Sequence, residues 1–211
     1  MTAGALARRG FSDSTRALRL VEEAGLDALA DTEVIGALAA AADPDQALLG
    51  LLRLLEVAPD PEEVRVALRE ERDLRTRLCR VLGASTALTD HLVRHPGDWR
   101  ELRGADAART PDREELRRGL MHTVGACPDE PAPTADLSLG QGEEGEASAV
   151  LRHTLRVAYR RRVLRLAGRD LTGVNTVDEV AAELADLAAA TLDAALAVAR
   201  AESPRTPRCA V

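Results

Sequence analysis

Residues Asp43–Gly83, DPDQALLGLLRLLEVAPDPEEVRVALREERDLRTRLCRVLG, decide the fold class. Asp-Pro occurs twice, at Asp43-Pro44 and Asp60-Pro61. An aspartate before a proline is a helix start. The carboxylate accepts from unpaired backbone N–H groups of the first turn, and the proline sits where no N–H is needed. Helices are therefore predicted over Asp45–Val57 and Glu62–Glu70. A third follows over Glu71–Leu82, with Leu74, Leu78 and Leu82 at helical spacing, and Gly83 is read as its end. The stretch thus reads as three consecutive helices.

The same punctuation continues outward. Ser12 or Asp13 caps a first helix carrying Leu18, Leu20 and Val21, closed by Gly25. Asp31 caps a second, with Val34, Ile35 and Leu38 on its apolar side. Ser85 caps Thr86–Arg94, which Pro96 stops. Thr110-Pro111 opens another helix, with Leu116 and Leu120 four apart, closing near Gly125. There is no fixed-period repeat. No segment alternates as a strand should, apart from a clipped beginning at Arg208–Val211. The expected class is all-α: a cluster of short helices, a linker, then a long antiparallel helical hairpin.

Four regions follow: helical residues 1–126, a linker at 127–146, long helices at 147–204, and the start of a strand at 205–211. The linker holds Pro128, Pro131 and Pro133, then Gly140, Gly142 and Gly145, with acidic but no basic residues. Such a stretch cannot bury enough apolar surface to order itself, and mobility is expected of it. After it, Ala147–Gly168 carries a stripe at Leu151, Leu155, Tyr159, Val163 and Leu166. Thr176 and Glu179 form a capping box. They open a helix to about Glu202 with Val180, Leu184, Leu187 and Leu196 expected inward. The short connection Asp170–Asn175 is what predicts the hairpin.

Composition narrows the function. Of 211 residues, 45% are hydrophobic, 30% charged and 1% aromatic, so the core is built from Leu, Val and Ala, as packed helices allow. Every basic residue is Arg, a bias attributed to a GC-rich genome. The net charge of −7 counts against a free nucleic-acid binder. Cys79, Cys127 and Cys209 are odd in number and widely spaced, which argues against a disulfide framework or a zinc site and for a reducing, cytoplasmic compartment. No secretory signal is visible, and no apolar run is long enough to span a bilayer.

Few residues point to chemistry. His91 and His95 lie four apart, but no Glu and no third ligand accompany them, so they read as surface histidines. Arg152, Arg156, Arg160, Arg161, Arg162, Arg165 and Arg169 make one helix basic on more than one face. Without interleaved aromatics to stack bases, that surface reads as inter-domain or phosphate-facing. Asp170, at the end of this helix, is poorly placed for the helix dipole and reads as a structural turn residue needing compensation. Glu143, Glu144 and Glu146 sit in the linker, unsuited to preorganised acid–base work. Trp99 reads as an anchor for its turn. No catalytic, cofactor-binding or metal residue is assigned.

Three stretches carry a resemblance: Arg8–Gly25 (RRGFSDSTRALRLVEEAG); Asp43–Glu56 continuing through Leu82–Trp99 (LGASTALTDHLVRHPGDW); and Leu155–Glu202, with RDLTG and the helix DEVAAELADLAAATLDAALAVARAE. Together they resemble the N-terminal helical part of the actinobacterial glutamine synthetase adenylyltransferase family. The resemblance implies a much longer enzyme with two nucleotidyltransferase domains, using ATP and magnesium to add AMP to a tyrosine of glutamine synthetase and removing it by phosphorolysis. It implies glutamine synthetase and the P-II signal protein as partners. In that family the last helix leads into a strand, a Gly-Gly-x-Glu-Leu turn and a metal-holding Asp-x-Asp pair. This chain reaches Cys209-Ala210-Val211 where the strand is expected to begin, so an inactive fragment lacking the downstream catalytic domains is expected. The alternatives are a free-standing helical interaction protein docking through the Arg-rich helix, and a helical transcription regulator, against which the acidic balance counts.

Overall fold

The computed structural model describes residues 1–23, 32–127 and 144–202. The described residues are helical, with no strand among them. The elements are α1 (Ala3–Ala7), α2 (Ser14–Glu23), α3 (Thr32–Ala39), α4 (Pro44–Val57), α5 (Pro61–Glu70), α6 (Arg72–Ala84) and α7 (Thr86–Arg94). A 3-10 helix (Pro96–Leu102) follows, then α8 (Gly104–Ala108), α9 (Arg113–Thr123), α10 (Glu144–Asp170) and α11 (Val177–Glu202). They form two compact units, residues 1–109 with 164–175 and residues 110–163 with 176–211.

The capping chemistry is as the sequence predicts. Asp43 Oδ1 accepts from the Gln46 amide at 2.9 Å. Asp60 Oδ1 accepts from the Glu62 and Glu63 amides at 3.1 Å each. Ser85 Oγ accepts from Leu88 at 3.2 Å, and Asp13 Oδ1 from Arg16 at 3.0 Å. The capping box is complete: Thr176 N donates to Glu179 Oε2 at 2.7 Å, and Glu179 N donates to Thr176 Oγ1 at 3.3 Å. Each carboxylate or hydroxyl replaces water on an N–H that has no partner within its helix.

In the first unit α6 is the central helix, packed by α3, α4, α5, α7 and the 3-10 helix. Its Leu74, Leu78, Val81 and Leu82 are buried. Gly83 does not end α6, which runs on to Ala84. A Cβ at Gly83 would lie 2.6 Å from Ala41 Cβ and 2.8 Å from Asp43 O. The glycine is there so that α6 can approach the start of α4. Val34, Ile35 and Leu38 of α3 are buried as expected. Gly25 and Asp31 lie outside the described residues, as does Arg208–Val211.

The second unit has one core shared by three helices rather than two. Leu116, Leu120 and Met121 of α9 meet Leu155 of α10 and Leu187, Ala190, Ala194 and Val198 of α11. The α9 helix is capped not by Thr110 but by Asp112, whose Oδ1 accepts from Glu115 N at 2.7 Å. Most of the expected linker lies outside the described residues, but Glu144–Glu146 already belong to α10. Three apolar residues expected inward are exposed: Tyr159 by 37%, Leu184 by 42% and Leu196 by 47%. Leu164 is fully buried instead. No described helix is long and apolar enough to cross a membrane.

Candidate functional site

The segment Arg169-Asp170-Leu171-Thr172-Gly173 ends α10 and joins the first unit. Gly173 N donates to Asp170 O at 2.9 Å and Val174 N to Arg169 O at 3.1 Å. This pair of bonds needs a left-handed residue between them, and Gly173 supplies it at φ 74°. Thr172 Oγ1 closes the turn by donating to Gly168 O at 2.7 Å. The motif's specificity is thus largely that of a helix terminus. Asp170 is exposed, so water rather than a neighbouring cation solvates its charge.

Around this terminus, arginines bind carbonyls. Arg80 Nη1 donates to Leu171 O at 2.5 Å, Arg77 Nη1 to Leu102 O at 3.0 Å, and the buried Arg169 to Ala107 O at 3.4 Å. Arg165 pairs with Glu101 at 2.6 Å. Gly168 lets α10 close on the 3-10 helix, since a Cβ there would lie 2.8 Å from Leu102 Cδ2. Arg75 does the same for α5: it donates to Leu68 O at 2.9 Å and Arg69 O at 3.0 Å and pairs with Glu33. These are last-turn carbonyls without helical partners, and a guanidinium satisfies two at once. The sequence reading missed these α6 arginines. Their signal was three arginines, Arg75, Arg77 and Arg80, on a helix otherwise patterned for burial.

The Arg-rich face of α10 therefore divides. Arg165 and Arg169 are structural, and Arg162 Nη2 lies against Gly119. Arg156 and Arg160 remain on an exposed face with Tyr159. That face can attract anions.

His91 and His95 do not make a metal centre. His91 is fully buried, not on the surface, with Nε2 2.9 Å from Asp98 Oδ2 and off the line of an aligned hydrogen bond. His95 packs its ring 5.0 Å from that of His91. The pair ties α7 to the turn holding Trp99, which is 1% exposed. Arg100 and Arg103 stand over the indole at 4.9 and 5.3 Å, held from outside by Glu63 and Glu71. The hydrogen bond from Arg103 to Glu71 raises the arginine's pKa further. Trp99 is the anchor the sequence predicts, with cation–π contacts added.

A shallow cleft between α2 and α4 is lined by Ser12, Asp13, Arg16, Asp43 and Asp45. Its acids already serve the backbone: Asp45 Oδ2 accepts from Ser12 N at 2.7 Å, and Asp43 and Asp13 are helix caps. Burial pushes the Cys79 thiol up to about 12, so it is neither nucleophile nor ligand near neutral pH. Among the described residues no three His, Cys, Asp or Glu side chains converge as a metal site would need.

Comparison with known proteins adds what the geometry leaves open. A model of the glutamate-ammonia ligase adenylyltransferase family matches residues 75–208. The bifunctional glutamine synthetase adenylyltransferase/adenylyl-removing enzyme of Streptomyces coelicolor is 46% identical over 209 residues, covering 97% of this chain and 18% of that protein. Its counterpart in Leifsonia xyli is 42% identical over 200 residues, covering 92% and 18%. That of Mycobacterium tuberculosis is 40% identical over 196 residues, covering 86% and 17%. The chain thus spans a fifth or less of the length of these curated relatives. No solved structure matches.

Proposed function

The chain belongs to the glutamate-ammonia ligase adenylyltransferase family, and we propose that it is a helical scaffold segment of an enzyme that adds AMP to glutamine synthetase and removes it. The alignment carries this reading: nearly all of the chain matches less than a fifth of the Streptomyces coelicolor enzyme. We propose further that the segment has no turnover alone. Adenylyl transfer places metal ions on the attacking and leaving oxygens, and metal needs clustered carboxylates on rigid elements. Among the described residues no three acids, histidines or cysteines cluster, and several acids serve instead as helix caps, such as Asp43, Asp60 and Asp112, or in ion pairs, such as Glu63, Glu71 and Glu101. In this reading ATP, magnesium, glutamine synthetase and a P-II signal protein engage the rest of the enzyme.

Two measurements test it. Purified chain incubated with glutamine synthetase, ATP and magnesium should leave the target tyrosine unmodified, and with AMP-modified enzyme and phosphate it should release no ADP. Grafting the chain in place of the matching residues of the Streptomyces coelicolor enzyme should preserve both activities. Chelator-sensitive turnover by the chain alone would refute the division of labour. A folded but inactive chimera would refute the scaffold role.

A further inference from the structure

α11 carries its charges on the wrong side for a helix in water. Between Ala181 and Ala199 its charged residues are Glu183, Asp186 and Asp193. Glu183 is buried, Asp186 lies 3.9 Å from Arg113, and Asp193 lies 3.2 Å from Arg117, both arginines being on α9. All three acids therefore belong to the side that holds Leu187, Ala190, Ala194 and Val198 in the core. The opposite side has no charge over that length, about 27 Å at 1.5 Å per residue. It presents Ala181, Leu184, Ala188, Leu192, Ala195 and Ala199, with Leu192 exposed by 71% and Leu184 by 42%. Val177, 85% exposed, extends the same face by one turn. A helix on a protein surface normally turns its charges outward and its apolar stripe inward. α10 does turn Arg156 and Arg160 outward. In a chain that is 30% charged, an uncharged face of this length is built for contact with polypeptide, not water.

We propose that this face joins the segment to the rest of its enzyme: it is covered, within one molecule, by apolar side chains from polypeptide that the longer relatives have outside the matched residues. The inference rests on the proposal that the chain is a scaffold segment of such an enzyme. Its first support is length. The Streptomyces coelicolor enzyme matches 97% of this chain, and so α11, with 18% of its own residues. There the helix has more than four fifths of a protein available to cover it. The second support is chemistry. Surfaces that bind and release a separate protein are about as polar as the rest of a protein's surface, whereas permanent contacts resemble a core cut in half. The open face of α11 is of the permanent kind, which disfavours a partner that must come and go, such as a substrate protein. Tethering then decides between the two permanent occupants, the rest of the molecule and a second copy. A tethered segment meets the face at an effective concentration on the order of mM, well above that of a free copy at micromolar concentration. The complement follows from the face itself. Alanines at 181, 188 and 195 leave shallow gaps beside Leu184 and Leu192, so the covering surface offers large apolar side chains there and no unpaired charge.

Cysteine accessibility in the whole enzyme tests this. Leu192→Cys and, separately, Ala188→Cys are placed in the chain alone and in the Streptomyces coelicolor enzyme carrying the chain in place of its matching residues. Alkylation by N-ethylmaleimide is read peptide by peptide, so native cysteines do not interfere. Both positions should label rapidly in the chain alone and about tenfold or more slower in the chimera, at about 1 and 100 µM alike. Labelling equally fast, or equally slow, in the two proteins overturns the inference. So does protection of the chimera that disappears on dilution, because a second copy then covers the face. Protection that appears only when glutamine synthetase is added overturns it as well, because the occupant is then a separate protein. Adenylylation and adenylyl removal are measured in the same samples, which separates this inference from the reading it rests on. An active chimera that labels fast refutes the contact and leaves the scaffold role standing. A folded, inactive chimera that labels slowly supports the contact and refutes the scaffold role.

Discussion

Gly83 shows how a single missing side chain sets a helix contact. It lies inside α6, where glycine costs about 1 kcal/mol relative to alanine by propensity alone. Propensity therefore favours Gly83→Ala. Packing opposes it, because the new methyl would meet both Ala41 Cβ and the Asp43 carbonyl below 3 Å. A backbone oxygen cannot rotate away as a side chain can. Overpacking of this kind costs about 1–3 kcal/mol. Gly83→Ala is thus expected to lower the urea midpoint. An unchanged or higher midpoint would show that α6 is free to move off α4. From the sequence Gly83 reads as a helix stop, because Gly after an apolar run usually is one. The contact that reverses this reading comes from Ala41 and Asp43, forty residues away.

At the scale of the element, caps were the most legible feature, because a cap is local. Asp43, Asp60, Ser85 and Thr176 each serve an amide two or three residues away. The Thr176–Glu179 box also makes the start of α11 sensitive to pH. The Thr176 amide, then its hydroxyl, donates to the Glu179 carboxylate and lowers its pKa. A lowered carboxylate pKa contributes stability above the unfolded value, about 4.3. That contribution is lost as pH falls through the lower folded value. Glu179→Gln keeps a capping side chain but removes the titration. Thermal midpoints at pH 7 and pH 3, followed by circular dichroism, should fall less for the variant than for the parent chain. Equal falls would mean the carboxylate contributes no pH dependence. The α9 cap is Asp112, but Thr110-Pro111 offers a plausible start two residues earlier in the sequence. Only the bond from Glu115 N distinguishes them.

Across the whole molecule, the long helix α10 belongs to both compact units, through residues 144–163 in one and 164–170 in the other. Each unit has its own core, and the sole tryptophan reports the first. Leu187, 1% exposed, belongs to the core of the second. Leu187→Ala should cost about 2–5 kcal/mol there through lost burial and a residual cavity. The expected outcome is that helix content, followed by circular dichroism, begins to melt before Trp99 fluorescence changes. If the two signals shift together, the units unfold as one.

The sequence by itself determined the helical class, most helix starts and the family. All three rest on local chemistry: capping carboxylates, apolar spacing within one helix, and short segments such as Arg169–Gly173. Tertiary structure decided which apolar residues are inside. Leu184, Leu187 and Leu196 look alike in sequence, yet only Leu187 is buried, because α9 covers one side of α11 and no described residue buries the other. It likewise placed His91 in the core and turned Arg75, Arg77, Arg80 and Arg169 into supports for carbonyls on other helices. Periodicity reports that a helix has an apolar face. It does not report how many faces are covered, or by what, because the covering side chains come from distant parts of the chain.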